Sequence, residues 1–173
     1  MKRMNIFLVV FLLISFTSCK SRRTIEFREA IVQKERVAFN IVLGKNGSEV
    51  QKLERLIKND YKGALALVDK QAREFDQLIK DIESLPADGI RQGEALKRAA
   101  VDYYAALKEL HFFDRREIAQ SEAIHQLGDE ELSVAQHELV ALAHEKKIFY
   151  EKVYRQEEMF ATVLKKFDAA NDI

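Results

Sequence analysis

The setting of Cys19, the only cysteine of the chain, is the clearest chemical signal in the sequence. Before it come the basic residues Lys2 and Arg3, then the apolar run Ile6–Ile14, then the short segment Ser15–Ser18. A basic start, an apolar centre and a short segment before a cleavage point are typical of a secretory leader. We therefore expect residues 1–18 to be a signal peptide that is removed.

The apolar run is too short for a bilayer-spanning helix, which needs roughly 20 apolar residues. A cysteine at the end of a cleaved leader resembles the acyl acceptor of bacterial lipoprotein signals. Phe16 and Ser18 stand where the usual cleavage box has Leu and then Ala or Gly. We expect Cys19 to be lipidated. The alternative is an ordinary secretory peptide in which the cysteine is incidental.

Lipidation also agrees with the chemistry of an exported chain, in which one unpaired thiol is a liability. Two or more acyl chains anchor a protein stably, so we expect a membrane contact through acyl chains on Cys19. Residues 19–23 then form a short basic tether, which either attracts anionic head groups or is a solvated linker. No Asp and no acidic run follow Cys19. We expect the cell envelope of a diderm bacterium, at the outer membrane facing the periplasm.

The charge balance argues against a nucleic-acid partner. Residues 1–18 contain two basic and no acidic side chains, so the remaining chain has 26 basic and 28 acidic residues. Nucleic-acid binding usually needs a basic surplus. One proline and six glycines among many charged residues favour helices over strands. We expect one helical domain over residues 24–173.

Three groups of turn residues divide this domain into four predicted helices, at residues 24–43, 49–84, 89–126 and 130–168. Each group ends in a good N-cap: Ser48, Asp88 or Asp129. Ser48 and Gln51 also have the spacing of a capping box. Short loops make neighbouring helices antiparallel. The fold prediction is all-α, an up-down antiparallel four-helix bundle with a short first helix and three long helices.

Apolar residues recur along each predicted helix with the three- and four-residue spacing of a buried seam. Lys146 and Gln156 interrupt the seam of the last helix. Because the first helix is about half as long as the others, part of the groove beside it could stay open to a partner helix. The predicted seam residues are Phe27, Ile31, Ala38, Ile41, Val42, Ile57, Tyr61, Ala64, Val68, Phe75, Leu78, Ile82, Leu96, Ala99, Tyr103, Ala106, Leu110, Phe113, Ile124, Leu127, Leu132, Ala135, Leu139, Leu142, Phe149, Val153, Phe160, Val163 and Phe167.

The four histidines do not form a recognisable metal motif. His137 and His144 lie seven residues apart, about 10 Å along a helix, whereas chelation within one helix prefers a spacing of three or four. Glu122 and His125 form a single Glu-x-x-His pair, but a di-iron bundle needs two. We interpret His137 and His144 as part of a solvated face and expect no metal and no cofactor.

Neither a catalytic nucleophile in a recognisable setting nor a glycine-rich phosphate loop is evident, so an enzyme is not expected. The aromatic pairs Tyr103–Tyr104 and Phe112–Phe113 each place one ring on the seam and one beside it. The flanking rings, Tyr104 and Phe112, are candidates for a contact surface.

Three segments carry a resemblance to a known group of proteins: residues 94–104, 127–131 and 156–161. Their sequences are EALKRAAVDYY, LGDEE and QEEMFA. They resemble a family of uncharacterised all-helical bacterial lipoproteins, each with a leader, an acylated cysteine and one bundle. The resemblance covers most of residues 24–168 and implies a four-helix bundle at a cell envelope. It implies no established activity and no catalytic residue.

These observations favour a lipid-anchored helical module of the cell envelope that binds another protein or supports envelope architecture. The main alternative is a periplasmic carrier of a small molecule or lipid, which would need a continuous apolar cavity in the bundle. A metal-binding or redox bundle is a third hypothesis, and it would depend on His137 or His144.

Overall fold

The computed structural model describes residues 22–45, 47–127 and 129–173, which are helical with no strand among them. This confirms the all-α prediction. The predicted leader, Cys19 and most of the tether lie outside the described residues. The helices are α1 (residues 22–32), α2 (Lys34–Leu43), α3 (Ser48–Ile57), α4 (Tyr61–Glu83), α5 (Gly93–Gln126) and α6 (Asp129–Asn171).

The prediction of a single helix over residues 49–84 is wrong. Residues 58–60 interrupt the helix, so two helices, α3 and α4, form instead. Asn59 has a left-handed backbone with φ of 55°. Asparagine tolerates this conformation better than most residues. Asp60 then caps α4, with its Oδ1 accepting a hydrogen bond from the Gly63 backbone nitrogen at 2.8 Å. A short helix of ten residues and a long helix of 23 therefore replace the predicted one.

Other helix starts also differ from the prediction. Ser48 is the first residue of α3 rather than its N-cap, and its Oγ donates to the Ile41 carbonyl at 3.0 Å. The predicted capping of α3 by Ser48 is therefore wrong. Helix α5 begins at Gly93 rather than at residue 89, after Gln92, whose φ is 58°. A turn at Gln33 separates α1 from α2.

The long helices run in opposite directions to their chain neighbours. Between α5 and α6, Tyr103 stacks on Phe160 with ring centroids 5.9 Å apart, and Phe113 meets Phe149 at 5.0 Å. As the residue numbers rise along α5, those of the contacting residues on α6 fall, so the two helices are antiparallel. Between α4 and α5, Lys108 pairs with Asp76 at 2.5 Å and Arg115 with Asp69 at 2.5 Å, again in reverse order.

Helices α1, α2 and α3 follow one another along the long helices. Arg28 of α1 binds both carboxylate oxygens of Asp168, at 2.7 and 2.9 Å, near the end of α6. Lys34 of α2 pairs with Asp81 of α4 at 2.8 Å. Further on, Leu56 of α3 packs with the cluster of Ala64, Val68 and Ile118. The groove that could have stayed open beyond a short first helix is therefore covered by α3 as far as Leu56.

The core consists mainly of the predicted seam residues. Phe27, Phe75 and Phe167 are buried, and so are Ile31 and Ile82. Apolar periodicity thus located the inner faces of α1, α2, α4, α5 and α6 correctly. Two seam residues are exceptions. Leu127 is 37 % exposed after the end of α5, and Ile57 is 73 % exposed because α3 and α4 do not share one helical register.

Candidate functional site

Charged side chains from three helices meet at the inner face of α3, and Asp114 of α5 lies at their centre. Asp114 is 7 % exposed. One of its carboxylate oxygens accepts a hydrogen bond from Lys52 of α3, and the other accepts from Lys146 of α6 at 2.5 Å. Lys52 is also 7 % exposed. A buried charge is tolerated only where it is paired in this way.

Glu49 of α3 joins the same cluster. Its Oε1 lies 2.8 Å from Lys52 Nζ and accepts a hydrogen bond from His111 Nδ1 at 3.1 Å. Gln71 Nε2 of α4 is 3.5 Å from that oxygen. Burial alone raises the pKa of the Glu49 carboxyl, but the hydrogen bonds from His111 and Lys52 outweigh burial and lower the pKa to about 2. Glu49 is therefore ionised at neutral pH.

Lys146 connects the cluster to α6. Its Nζ donates to Asp114 Oδ1 at 2.5 Å and to Glu117 Oε2 at 2.6 Å. Burial alone lowers the pKa of Lys146, but these two carboxylates outweigh burial and raise it. Three carboxylates thus share two ammonium groups in the cluster, with His111 beside them. We call Glu49, Lys52, His111, Asp114, Glu117 and Lys146 the charged cluster.

Helical spacing explains how these side chains meet. Glu49 and Lys52 are three residues apart on α3, as are His111 and Asp114 on α5, so each pair lies on one helix face. The ring of His111 is held by Phe75 of α4, with centroids 6.0 Å apart and planes 15° apart. The sequence contained one usable signal for the cluster: Lys146 interrupts the apolar seam of the last helix.

The exposed side of α3 carries an apolar stripe beside Glu54 and Arg55. Val50, Leu53 and Ile57 are 56, 59 and 73 % exposed. They recur at intervals of three and four residues, so they form one stripe along the helix. The opposite face of α3 carries Lys52 and Glu49 into the charged cluster. We call Val50, Leu53 and Ile57 the α3 stripe.

The structure also locates the two aromatic residues predicted to form a contact surface. Tyr104 is only 1 % exposed and packs in the core, so its assignment to a surface is wrong. The helix phase places both members of the Tyr103–Tyr104 pair against neighbouring helices, with ring centroids 5.0 Å apart. Phe112 is 43 % exposed and borders a depression of about 570 Å³ between α4 and α5.

The histidines that the sequence singled out lie away from the charged cluster. His137 and His144 are exposed, as predicted for a solvated face, and His137 Nδ1 contacts the Ser133 carbonyl at 2.7 Å. Glu49, His111 and Asp114 instead form a group with three potential metal ligands, whose ligand atoms all lie within 4.8 Å of one another. This is the one such group among the described residues.

Two surface depressions on the described part of the chain are open to solvent and have mixed polar and apolar linings. One of about 620 Å³ is bordered by Arg36, Val37 and Phe39 of α2 with their neighbours. Another of about 500 Å³ lies between α5 and α6, next to Arg116 and Glu145. Neither has the continuous apolar lining that the carrier hypothesis needs.

Within residues 22–45, 47–127 and 129–173, no helix is both long enough and apolar enough to span a bilayer. Comparisons of the chain with protein-family models, with curated proteins and with solved structures find no match. The functional argument therefore depends on the residues of this chain alone.

Proposed function

We propose that the chain is a lipid-anchored module of the cell envelope that binds another protein and is not an enzyme. The observation that carries this proposal is the α3 stripe, an apolar helix face that points away from the protein. Scattered apolar residues are normal on a surface, but three on one helix face form a site into which a partner helix can pack.

The proposed architecture is an up-down antiparallel four-helix bundle. Helices α1, α2 and α3 follow one another to form its first column, and α4, α5 and α6 are the other three columns. The order of contacts supports this, because Arg28, Lys34 and Glu49 meet the long helices at successive levels. A broken first column gives α3 its own helical register. This independence allows α3 to place charged residues inside and apolar residues outside.

We favour a protein partner over a lipid surface for the α3 stripe because of the charges near it. A helix that binds anionic lipid carries a surplus of Lys or Arg on its polar face. On α3, Lys52 points into the charged cluster, and Arg55 pairs with Asp60 at 2.8 Å. Glu54 is exposed on the same helix. Within Ser48–Ile57 two basic and two acidic residues balance, so this helix has no basic surplus to attract head groups.

The proposed anchor is a set of acyl chains on Cys19, at the outer membrane facing the periplasm of a diderm bacterium. The tether would be short, since α1 is already helical at residue 22. The near-neutral charge of the chain agrees with a partner other than nucleic acid.

The docking proposal is tested by photo-crosslinking in cells with a reactive amino acid at position 53. We expect one protein partner to crosslink reproducibly, and Ile57→Asp to abolish the crosslink. Val134→Asp on α6 is the matched control, since Val134 is 64 % exposed and lies outside the α3 stripe. Crosslinking that survives Ile57→Asp, or that Val134→Asp removes equally, would contradict docking at α3.

The anchor is tested separately by fractionating cells that express Cys19→Ala. We expect the wild type in the membrane fraction and the variant in the soluble periplasm. A variant that stays with membranes after a high-salt wash would show that acyl chains are not what retains the protein. The docking experiment stays interpretable in that case, because it concerns α3 and not Cys19.

A further inference from the structure

The amide of Gln71 ends beside the charged cluster with one of its polar atoms unpaired. Gln71 is 1 % exposed. Its Nε2 lies 3.5 Å from Glu49 Oε1, while its buried Oε1 has no hydrogen-bond donor. Leaving a buried carbonyl oxygen unpaired costs about 1–3 kcal/mol. A metal cation coordinates such an oxygen well, and the amide that carries it reaches the Glu49 carboxylate of the charged cluster.

The types of donor atom in the charged cluster limit which metal ions can bind there. Glu49 and Asp114 each offer a carboxylate oxygen, His111 offers a ring nitrogen, and these three atoms lie within 4.8 Å of one another. Imidazole with carboxylates suits first-row transition metals better than Mg²⁺ or Ca²⁺, which prefer oxygen alone. We propose that Glu49, His111 and Asp114 bind a divalent first-row transition-metal ion.

Lys52 is the direct competitor for this site. Its Nζ binds the carboxylates of both Glu49 and Asp114, so the ammonium stands where the metal ion would be held. Lys52 carries its charge on a flexible four-carbon stem, which allows the ammonium to move while α3 stays in place. The metal ion therefore exchanges with an internal ammonium group.

The charge balance favours this exchange. Counted without His111, the three carboxylates and two ammonium groups sum to a formal charge of −1. Replacing the Lys52 ammonium with a divalent ion removes that imbalance. Lys146 stays on Asp114 Oδ1 and Glu117, which leaves Asp114 Oδ2 for the metal.

The geometry requires only a small movement. Ligands at about 2.0–2.2 Å from a tetrahedral zinc ion lie roughly 3.5 Å from one another. Since the three donor atoms all lie within 4.8 Å of one another, no two of them need to approach by more than about 1.3 Å. Glu49 lies on the short helix α3, so a change of its rotamer can supply this movement.

The test is titration of the chelator-treated full chain, purified without a histidine tag, with Zn²⁺ in a calorimeter. We expect one ion per chain. Lys52→Met keeps the length of the side chain, removes the competing charge, and should raise the affinity more than about 10-fold. His111→Ala should lower it by a similar factor. The matched control is His137→Ala, which changes an exposed histidine and should bind like the wild type.

Binding by His111→Ala as tight as that of the wild type would overturn the proposal, and so would Lys52→Met binding no more tightly. Circular dichroism establishes that each variant is folded. The unmodified protein gives a test that needs no variant: bound Co²⁺ should show visible absorption that Zn²⁺ abolishes. Lack of such absorption at saturating Co²⁺ would show that the charged cluster binds no transition metal and that Lys52 keeps its place between Glu49 and Asp114.

Discussion

The effect of Glu49 on stability is expected to depend on pH. Its carboxyl has a pKa of about 2 in the folded protein, below its ordinary value of 4.5. Since one pKa unit corresponds to about 1.4 kcal/mol, the ionised carboxylate stabilises the folded state by about 3 kcal/mol at neutral pH. Because the folded pKa is the lower one, this contribution is complete above pH 4.5. It is lost as the pH falls towards 2.

The perturbation is Glu49→Gln, which keeps the size of the side chain and removes its titration. We expect the wild type to be more stable than the variant by about 2–3 kcal/mol at pH 7. The difference should shrink between pH 4.5 and 2. Urea unfolding followed by circular dichroism at pH 7, 4 and 3 measures it. Glu54→Gln, an exposed glutamate of the same helix, is the control and should show no such trend.

A wild-type advantage that is the same at all three pH values would refute this reasoning. It would mean that Glu49 stabilises the fold by packing or by hydrogen bonds that its amide replacement also makes. No difference at pH 7 would mean that the cost of burying the carboxylate cancels its pairing with Lys52 and His111.

Two further changes test other parts of the fold. Lys146→Met leaves Asp114 and Glu117 without their shared ammonium group and should lower the free energy of unfolding by about 2 kcal/mol, whereas Lys147→Met, at an exposed neighbour, should change it little. Asn59→Val places a β-branched residue at a positive φ and should destabilise by about 1–2 kcal/mol, while Asn59→Gly should be nearly neutral. Urea unfolding at pH 7 checks both, and equal effects within either pair would contradict the structural explanation.

The apolar seams show how far periodicity predicts this fold. In α6, Ala135, Val153 and Phe167 are buried as their spacing predicted. Helical spacing repeats reliably along an unbroken helix. Once a few residues are correctly assigned to the buried face, the spacing therefore identifies the other residues of that face. The prediction fails at Ile57, where the left-handed Asn59 resets the phase. Asparagine is common in turns and solvated positions, so its presence alone did not reveal a break.

The charged cluster was beyond sequence reasoning for a different reason. Its members lie far apart in the chain, and each spacing taken alone is an ordinary helical one. His111 and Asp114 lie three residues apart on α5, but only the packing of α4 on α5, with α3 over both, brings Glu49 to the His111 ring. Lys146 was visible as an exception to the seam, but what it pairs with depends on which residues of α5 face it.

The sequence by itself determined the helical class, the inner faces of the long helices, and the leader-like segment that ends at Cys19. These are local properties, set by the types and spacing of residues a few positions apart. Only the tertiary structure decided that α3 turns Glu49 and Lys52 inward and Val50, Leu53 and Ile57 outward. A short amphipathic helix satisfies its own backbone in either orientation, so the surface that it meets decides which face is buried. Here that surface presents Asp114 and His111, and their charge and hydrogen bonds select the polar face of α3.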